Sequence, residues 1–198
     1  RRAAGRTLRA RPELVAVHPG GGAAVSTEGG TVVAGTGAIV AYRTDLAGAR
    51  LVPGPGSEER RRYVYWSHYA EGSAMPPLLL KLVFGRLAPG SPWPLRPLVR
   101  RVADTVLRGF VDPDLRRHAA FWEAELAGRP YFCGADFTAA DILMSFPLEA
   151  FAARGTGVGP RVADWVARIH ARPADRPALQ HGGPDPYARA GCPPRATG

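Results

Sequence analysis

Between Leu51 and Ser57 the chain reads LVPGPGS, and the periodicity of the apolar residues differs on the two sides of this segment. Prolines and glycines packed this densely interrupt both helices and strands, so 51–57 reads as a linker. Before it, 1–50, the runs at Ala23 to Ser26 and Thr31 to Ala34 are rich in small and β-branched residues. They flank Glu28-Gly29-Gly30, which is a hairpin signal. Thr36 stands where it can cap a short helix, with Ile39, Val40 and Leu46 on the apolar face and Gly48 as the stop. The stretch from Pro12 to Val17 is ambiguous, and Pro19 with three glycines ends it.

After the linker the spacing becomes helical. Ser57 is placed as an N-cap, and Glu58 and Glu59 fall in the first turn, where carboxylates complement the helix dipole. That helix runs toward Met75, and Pro76 and Pro77 require a kink or restart before Leu78 to Phe84. Leu95, Leu98, Val99, Val102, Val106 and Phe110 recur at spacings of three and four, one face of an amphipathic helix. Leu115, Ala119, Trp122 and Leu126 repeat the pattern. In Phe137-Thr138-Ala139-Ala140-Asp141-Ile142, Thr138 sits at an N-cap and Asp141 at N3, with Phe137 and Ile142 placed as a hydrophobic staple. Val162, Trp165, Val166 and Ile169 mark a last helix that stops by Pro173. The predicted organisation is a short α/β piece, an all-helical region over 58–181 and a loose tail over 182–198.

Composition narrows the function classes. Hydrophobic residues at 45% and charged residues at 22% are those of a globular chain. The longest nearly apolar stretch, Met75 to Leu80, is far short of the roughly 20 residues needed to cross a bilayer, so no membrane partner is expected. The first eleven residues are basic without the apolar core of a secretory signal, and no methionine begins them. Cys133 and Cys192 form no metal-ligand or disulfide framework, which makes a reducing cytoplasm the default and leaves no metal expected. The net charge of +9 suggests an anionic partner. Yet Lys81 is the only lysine, and the arginines are scattered without interleaved aromatics, so no nucleic-acid partner is expected.

Four stretches carry a resemblance to the glutathione transferases, covering about Pro12 to Tyr187. These are Gly37 to Tyr42 after the hairpin, Tyr65-Trp66-Ser67-His68-Tyr69-Ala70-Glu71-Gly72-Ser73-Ala74-Met75-Pro76-Pro77-Leu78, Arg129-Pro130-Tyr131-Phe132-Cys133-Gly134-Ala135-Asp136-Phe137-Thr138-Ala139-Ala140-Asp141-Ile142, and Ile169 to Pro173. The second and third are the specific ones and are similar to a bacterial and fungal branch of the family.

The resemblance implies an α+β fold, a partial thioredoxin-like α/β domain followed by an all-α bundle. It also implies a glutathione thiolate attacking a hydrophobic electrophile, with glutathione as co-substrate and a cytoplasmic homodimer. The thiolate is the reactive form, and a thiol near pKa 8.5 is mostly protonated at neutral pH, so the family supplies an activating hydrogen bond soon after the first strand. An opening βαβ unit needs about 30 residues or more. The residues before the linker do not hold it, so the chain reads as truncated at its start and no catalytic residue is named.

The resemblance places glutathione at Ala23, Ala24, Gly35 and Thr36, with departures from the family pattern. Gly35 lacks the carboxylate that pairs with the γ-glutamyl ammonium. Thr36 keeps a hydroxyl and a helix N-terminal amide, both suited to a carboxylate. Ala24 stands where the family has a cis-proline, and a cis bond before a non-proline residue costs about 2.5 to 4 kcal/mol, so a trans bond is expected. The Ala23 backbone would then point away from the cysteinyl part. A weakened site follows, one that Ala24→Pro with Gly35→Glu is expected to strengthen.

Tyr69, Glu71 and Met75 are the candidates for the electrophile pocket, against a reading as ordinary core and interface residues. His68, His118 and His170 read as packing or solvated groups, Cys133 as a buried small hydrophobe, and Trp122 and Trp165 as core. Arg60-Arg61-Arg62 and Arg100-Arg101 read mainly as solvated faces. The alternative function is a non-catalytic binding or dimerisation module on the same fold.

Overall fold

The computed structural model describes residues 25–153 and 157–174. It divides into two compact units, one ending at Val52 and one beginning at Pro53. The expected assignments at Ala23, Ala24 and the tail 182–198 lie outside the described residues.

In the first unit, β1 (Val25–Glu28) pairs antiparallel with β2 (Thr31–Ala34). The two-residue connection Gly29-Gly30 has φ of 54° and 84°, the left-handed pair that a type I′ turn demands and that glycine adopts freely. The strand therefore extends to Glu28, which was expected within the turn. Next comes α1 (Thr36–Leu46). Arg43 ties it to β1, with Nη1 3.3 Å from Glu28 and Nη2 donating to Ser26 Oγ at 3.1 Å.

Two expectations about α1 are corrected. Its N-cap is Gly35 and no side chain caps it, so Thr36 is the first helical residue. Leu46 is exposed, and the buried residue is Thr44, whose hydroxyl donates to the Ala41 carbonyl at 2.8 Å.

Among the described residues, the regular elements of the second unit are helices. Ser57 caps α2 (Glu58–Tyr69) as expected, its hydroxyl accepting from the Arg60 amide at 3.0 Å. A π-helical turn, Ala70–Ala74, then leads directly into α3 (Met75–Gly90). The same arrangement recurs where α4 (Arg96–Val106) passes through a π turn, Leu107–Val111, into α5 (Asp112–Glu125). Each π turn ends two positions before a proline, Pro76 (followed by Pro77) in one case and Pro113 in the other. A proline has no N–H for the carbonyl four residues back and its ring crowds that carbonyl; widening the turn by one residue relieves the clash without breaking the helix. The chain thus solves the Pro76-Pro77 problem with a π turn.

The core gathers where α2, α5, α6 (Ala139–Ala153) and α7 (Pro160–His170) meet. Trp66, Trp122, Trp165, Phe132 and Phe151 are fully buried there, with Leu78, Leu115, Met144 and Leu148 between them. Phe132 lies 4.5 Å from Trp66 and 5.2 Å from Trp165, Trp122 meets Phe151 edge-on at 5.3 Å, and Tyr69 with His118 links Trp66 to Trp122. Truncating such a ring costs about 3 to 5 kcal/mol.

The amphipathic stripe on α4 behaves otherwise: its buried residue is Ala103, whereas Leu95, Leu98, Val102 and Phe110 are exposed.

Candidate functional site

At the N-terminus of α1, Gly35 has φ 90° and its carbonyl accepts the Ile39 amide at 2.9 Å. The amides of Thr36, Gly37 and Ala38 belong to the first turn, which has no preceding carbonyls of its own helix to bond. Together with the exposed Thr36 hydroxyl they form a small donor array of the kind that suits a carboxylate. The positive φ suits glycine at this position, because a β-carbon is disfavoured in that backbone region.

In the second unit, the three electrophile-pocket candidates have different settings. Tyr69 is buried at the end of α2, Glu71 is exposed on the π turn, and Met75 is half-buried at the start of α3. The Tyr69 hydroxyl is hydrogen-bonded to His118 Nδ1 on α5. On the other side of that ring, Nε2 lies 3.8 Å from Asp114 Oδ2, an electrostatic rather than a hydrogen-bonding distance. Burial pushes the Tyr69 hydroxyl well above the ordinary tyrosine range, with the nearby Tyr65 adding to it. Burial also lowers His118 below 6.5, against the opposing pull of Asp114. The phenol therefore keeps its proton and donates it to a neutral imidazole.

Along α2, an open cleft of about 430 Å³ has an aromatic wall of Tyr65, Trp66 and Phe121 and a charged rim that includes Glu58, Arg61 and Glu125. Arg62, expected on a solvated face, is instead a partly buried tie. It donates to the Phe132 carbonyl from Nε at 3.0 Å and Nη2 at 2.8 Å and pairs with Glu125, so α2, α5 and the loop before α6 are held at one point. Arg61, Arg100 and Arg101 are exposed as expected.

Below this point lies the Thr138–Asp141 motif. Asp141 is fully buried; Oδ1 accepts the Phe132 amide at 3.0 Å, and Oδ2 accepts both the Thr138 amide at 2.9 Å and the Thr138 hydroxyl at 3.0 Å. The carboxylate half of the expected capping box is thus present. The hydroxyl, however, serves the carboxylate and lies 3.2 Å from Cys133 Sγ, while the Asp141 amide bonds the Thr138 carbonyl at 3.1 Å. The staple also differs: Phe137 packs edge-on against Tyr131 and beneath the Arg172 guanidinium, 3.5 Å from the ring centre, and Ile142 is 40% exposed. Burial raises the Asp141 carboxyl, opposed by its hydrogen bonds. Cys133 is buried as expected, its thiol pushed up to about 11 by that burial.

Sequence reasoning missed the Tyr69–His118 bond and the role of Arg62. Only the spacing of Asp114 and His118, one helical turn apart, was there to be read.

The residues from 100 to 168 match the glutathione S-transferase C-terminal domain family. The chain is 27% identical to glutathione S-transferase 1 of Saccharomyces cerevisiae over 174 residues, 82% of this chain and 74% of the yeast protein. It is 25% identical to glutathione S-transferase 3 of Schizosaccharomyces pombe, covering 87% and 72% of the two chains. Its fold is similar to a glutathione S-transferase from Actinobacillus pleuropneumoniae, with a TM-score of 0.65 at 25% identity, over 89% of this chain and 77% of the other. A sphingomonad glutathione S-transferase complexed with glutathione gives a TM-score of 0.61 at 24% identity, over 85% and 78% of the two chains. Residues 100–168 thus carry a glutathione S-transferase C-terminal domain, and the chain as a whole is similar to glutathione S-transferases, with the α+β fold that the sequence implied.

Proposed function

We propose that this protein binds glutathione at the N-terminus of α1 and conjugates its thiolate to a hydrophobic electrophile, as a cytoplasmic homodimer. The observation that carries the reading is the donor array at Gly35–Thr36, directly after the β-hairpin, in a chain similar to glutathione S-transferases. One glutathione carboxylate would accept from the first-turn amides and the Thr36 hydroxyl, with the helix dipole contributing. Ala23 and Ala24 would form the weakened part of the site, a trans bond turning the Ala23 backbone away from the cysteinyl part.

Conjugation breaks the glutathione S–H bond, forms a carbon–sulfur bond with the sulfur electron pair, and expels the leaving group where the electrophile has one. In the helical unit, Met75 would supply adaptable apolar surface to the electrophile, and Glu71 a polar edge. Tyr69, committed to His118, acts there as a positioning residue.

A second reading, a non-catalytic binding or dimerisation module, is favoured by one observation: Gly35 brings no carboxylate, and its φ of 90° disfavours any residue that would. Calorimetric titration with reduced glutathione, followed by an assay with a chlorodinitrobenzene, separates the two. Saturable binding with turnover supports the transferase. Saturable binding without turnover supports the module, and no binding overturns the assignment of the α1 site.

A further inference from the structure

Tyr69, His118 and Asp114 join α2 to α5 as hydroxyl, imidazole and carboxylate in a line. The hydroxyl is bonded to Nδ1, and Nε2, on the far side of the ring, lies 3.8 Å from Asp114 Oδ2. His118 is neutral above pH 6.5, so Nδ1 accepts from the phenol and the proton of the ring itself sits on Nε2, toward Asp114. The charges that act on the ring come from its own helix: Asp114 favours the imidazolium and Arg117 opposes it. Arg117 is itself held by the other Asp114 oxygen at 2.6 Å. From α2 the ring meets Tyr69, which has Tyr65 beside it with ring centres 5.6 Å apart, and Trp122 stacks on the imidazole at 5.9 Å. On α3, Lys81 is engaged by Asp112 at 2.9 Å, and on α7, Arg161 is engaged by the Glu123 carbonyl at 3.4 Å. The His118 side chain is 16% exposed, enough for a proton to arrive from solvent, whereas Tyr69 is buried.

We propose that His118 is a positioning residue for the electrophile pocket: protonation of its ring reverses the hydrogen bond to Tyr69 and frees the phenol proton to meet an acceptor oxygen on the electrophile. An imidazolium has two N–H donors and no acceptor. The added proton goes to Nδ1, the nitrogen that held the lone pair, and the phenol oxygen changes from donor to acceptor. Its own proton must then turn out of the line to Nδ1, because two donors cannot share one axis. Nε2–H and the new charge are drawn at the same time toward Asp114. The phenol itself stays protonated throughout, since burial holds its ionisation well above the ordinary tyrosine range. A buried hydroxyl donor without a partner costs free energy, and a bound molecule that accepts from it recovers that cost. The ligand class follows: an electrophile with a nitro or carbonyl oxygen gains when His118 is charged, and one without such an oxygen does not. The reversal stands on side-chain geometry alone, while its use by the electrophile rests on the pocket at Tyr69, Glu71 and Met75 in the proposed function.

The test follows the hydroxyl directly in the full chain. The tyrosine Raman doublet reports whether a phenol donates or accepts, and the difference between the native protein and Tyr69→Phe isolates Tyr69. The expected result is a change from donor to acceptor as the pH falls below 6.5, absent in His118→Gln. In Asp114→Asn, which removes the carboxylate that favours the imidazolium, the change should move to lower pH. Nitrogen NMR of labelled histidine reads the same event without Tyr69→Phe: the His118 Nδ1, identified by its loss in His118→Gln, passes from acceptor to N–H over that interval. Equilibrium dialysis then compares nitrobenzene with toluene, which has the same ring and no acceptor oxygen. Nitrobenzene should bind about two- to tenfold more tightly with His118 charged than with it neutral, and toluene equally in both states. A doublet that does not change with pH, or that changes equally in His118→Gln, overturns the reversal. Nitrobenzene binding independent of pH overturns the positioning role and leaves the pocket standing. Failure of both probes to bind overturns the pocket at Tyr69, Glu71 and Met75 and the role with it.

Discussion

The carboxylate of Glu123, on α5, accepts the backbone N–H of Val162, on α7, at 2.8 Å. Its second oxygen accepts the Arg161 amide at 3.2 Å. A side chain from one helix thus caps the first turn of another, with its charge at the positive end of the dipole. Gly159 belongs to the same arrangement, because a β-carbon there would lie 2.2 Å from Glu123 Cδ.

Glu123→Ala should therefore destabilise the protein by about 1 to 3 kcal/mol, the range for losing hydrogen bonds to a charged group. Gly159→Ala should cost a similar amount in the native background and much less beside Glu123→Ala, because the obstacle has been removed. Urea midpoints of the two single variants and the double variant measure this coupling, and strict additivity would refute it.

The second prediction concerns Thr138. Its hydroxyl serves the buried Asp141 carboxylate, so Thr138→Ala should cost about 1.5 to 3 kcal/mol, and Thr138→Ser should cost only about 1 kcal/mol for the lost methyl. The pH dependence has a definite sign. The Asp141 carboxyl is raised above 3.8, so the native state holds this proton longer than the unfolded chain, and the contribution of Asp141 to stability falls as pH rises through that interval. Removing the hydroxyl raises the carboxyl further. The cost of Thr138→Ala should accordingly be smallest below pH 3.8 and grow above it. Thermal melts across that range decide the matter; a flat cost would show that the hydroxyl does not stabilise the ionised form.

The sequence made the helical half legible wherever the signal was local. Ser57 caps α2, Trp122 and Trp165 fill the core, and Val162, Trp165 and Ile169 form the buried face of α7. Each follows from a cap or a period of three and four. What was illegible depends on residues far apart in the chain: Tyr69 with His118, Arg62 with Glu125 and the Phe132 carbonyl, Glu123 with Val162. The α4 stripe fails differently, because periodicity reports that a helix has an apolar side and says nothing of what covers it. At the α1 site, Thr36 was misplaced by one position because the choice of cap turned on the positive φ of Gly35, which a one-letter reading does not display.

The third prediction tests the Tyr69–His118 bond. Tyr69→Phe removes the donor and leaves the imidazole nitrogen unpaired in a half-buried position, a loss of about 0.5 to 1.5 kcal/mol. His118 is lowered below 6.5, so the unfolded chain takes up a proton that the native state resists. Its contribution is fully present above pH 6.5 and is lost as the pH falls below that value. His118→Gln should flatten the decline in stability over that interval, as read from urea midpoints at a series of pH values. A decline unchanged by His118→Gln would assign the effect to other groups.

The last prediction returns to the start of α1. Gly35→Glu supplies the carboxylate that the family pattern calls for, yet at φ 90° it places a β-carbon in a backbone region that costs about 1 to 2 kcal/mol. No neighbour stands within 4 Å of that β-carbon, so the penalty is conformational rather than steric crowding by other elements. The gain expected from Ala24→Pro with Gly35→Glu should therefore be offset in part at position 35. Gly35→Ala isolates the backbone penalty, and Gly35→Glu measured against it isolates the charge. Thr36→Ala should weaken glutathione binding without altering the melting temperature, since the Thr36 hydroxyl caps nothing. Thr36→Ser should retain it. Titrations of these variants with reduced glutathione, beside their melting curves, check the assignment; binding indifferent to Thr36→Ala would place the glutathione carboxylate elsewhere.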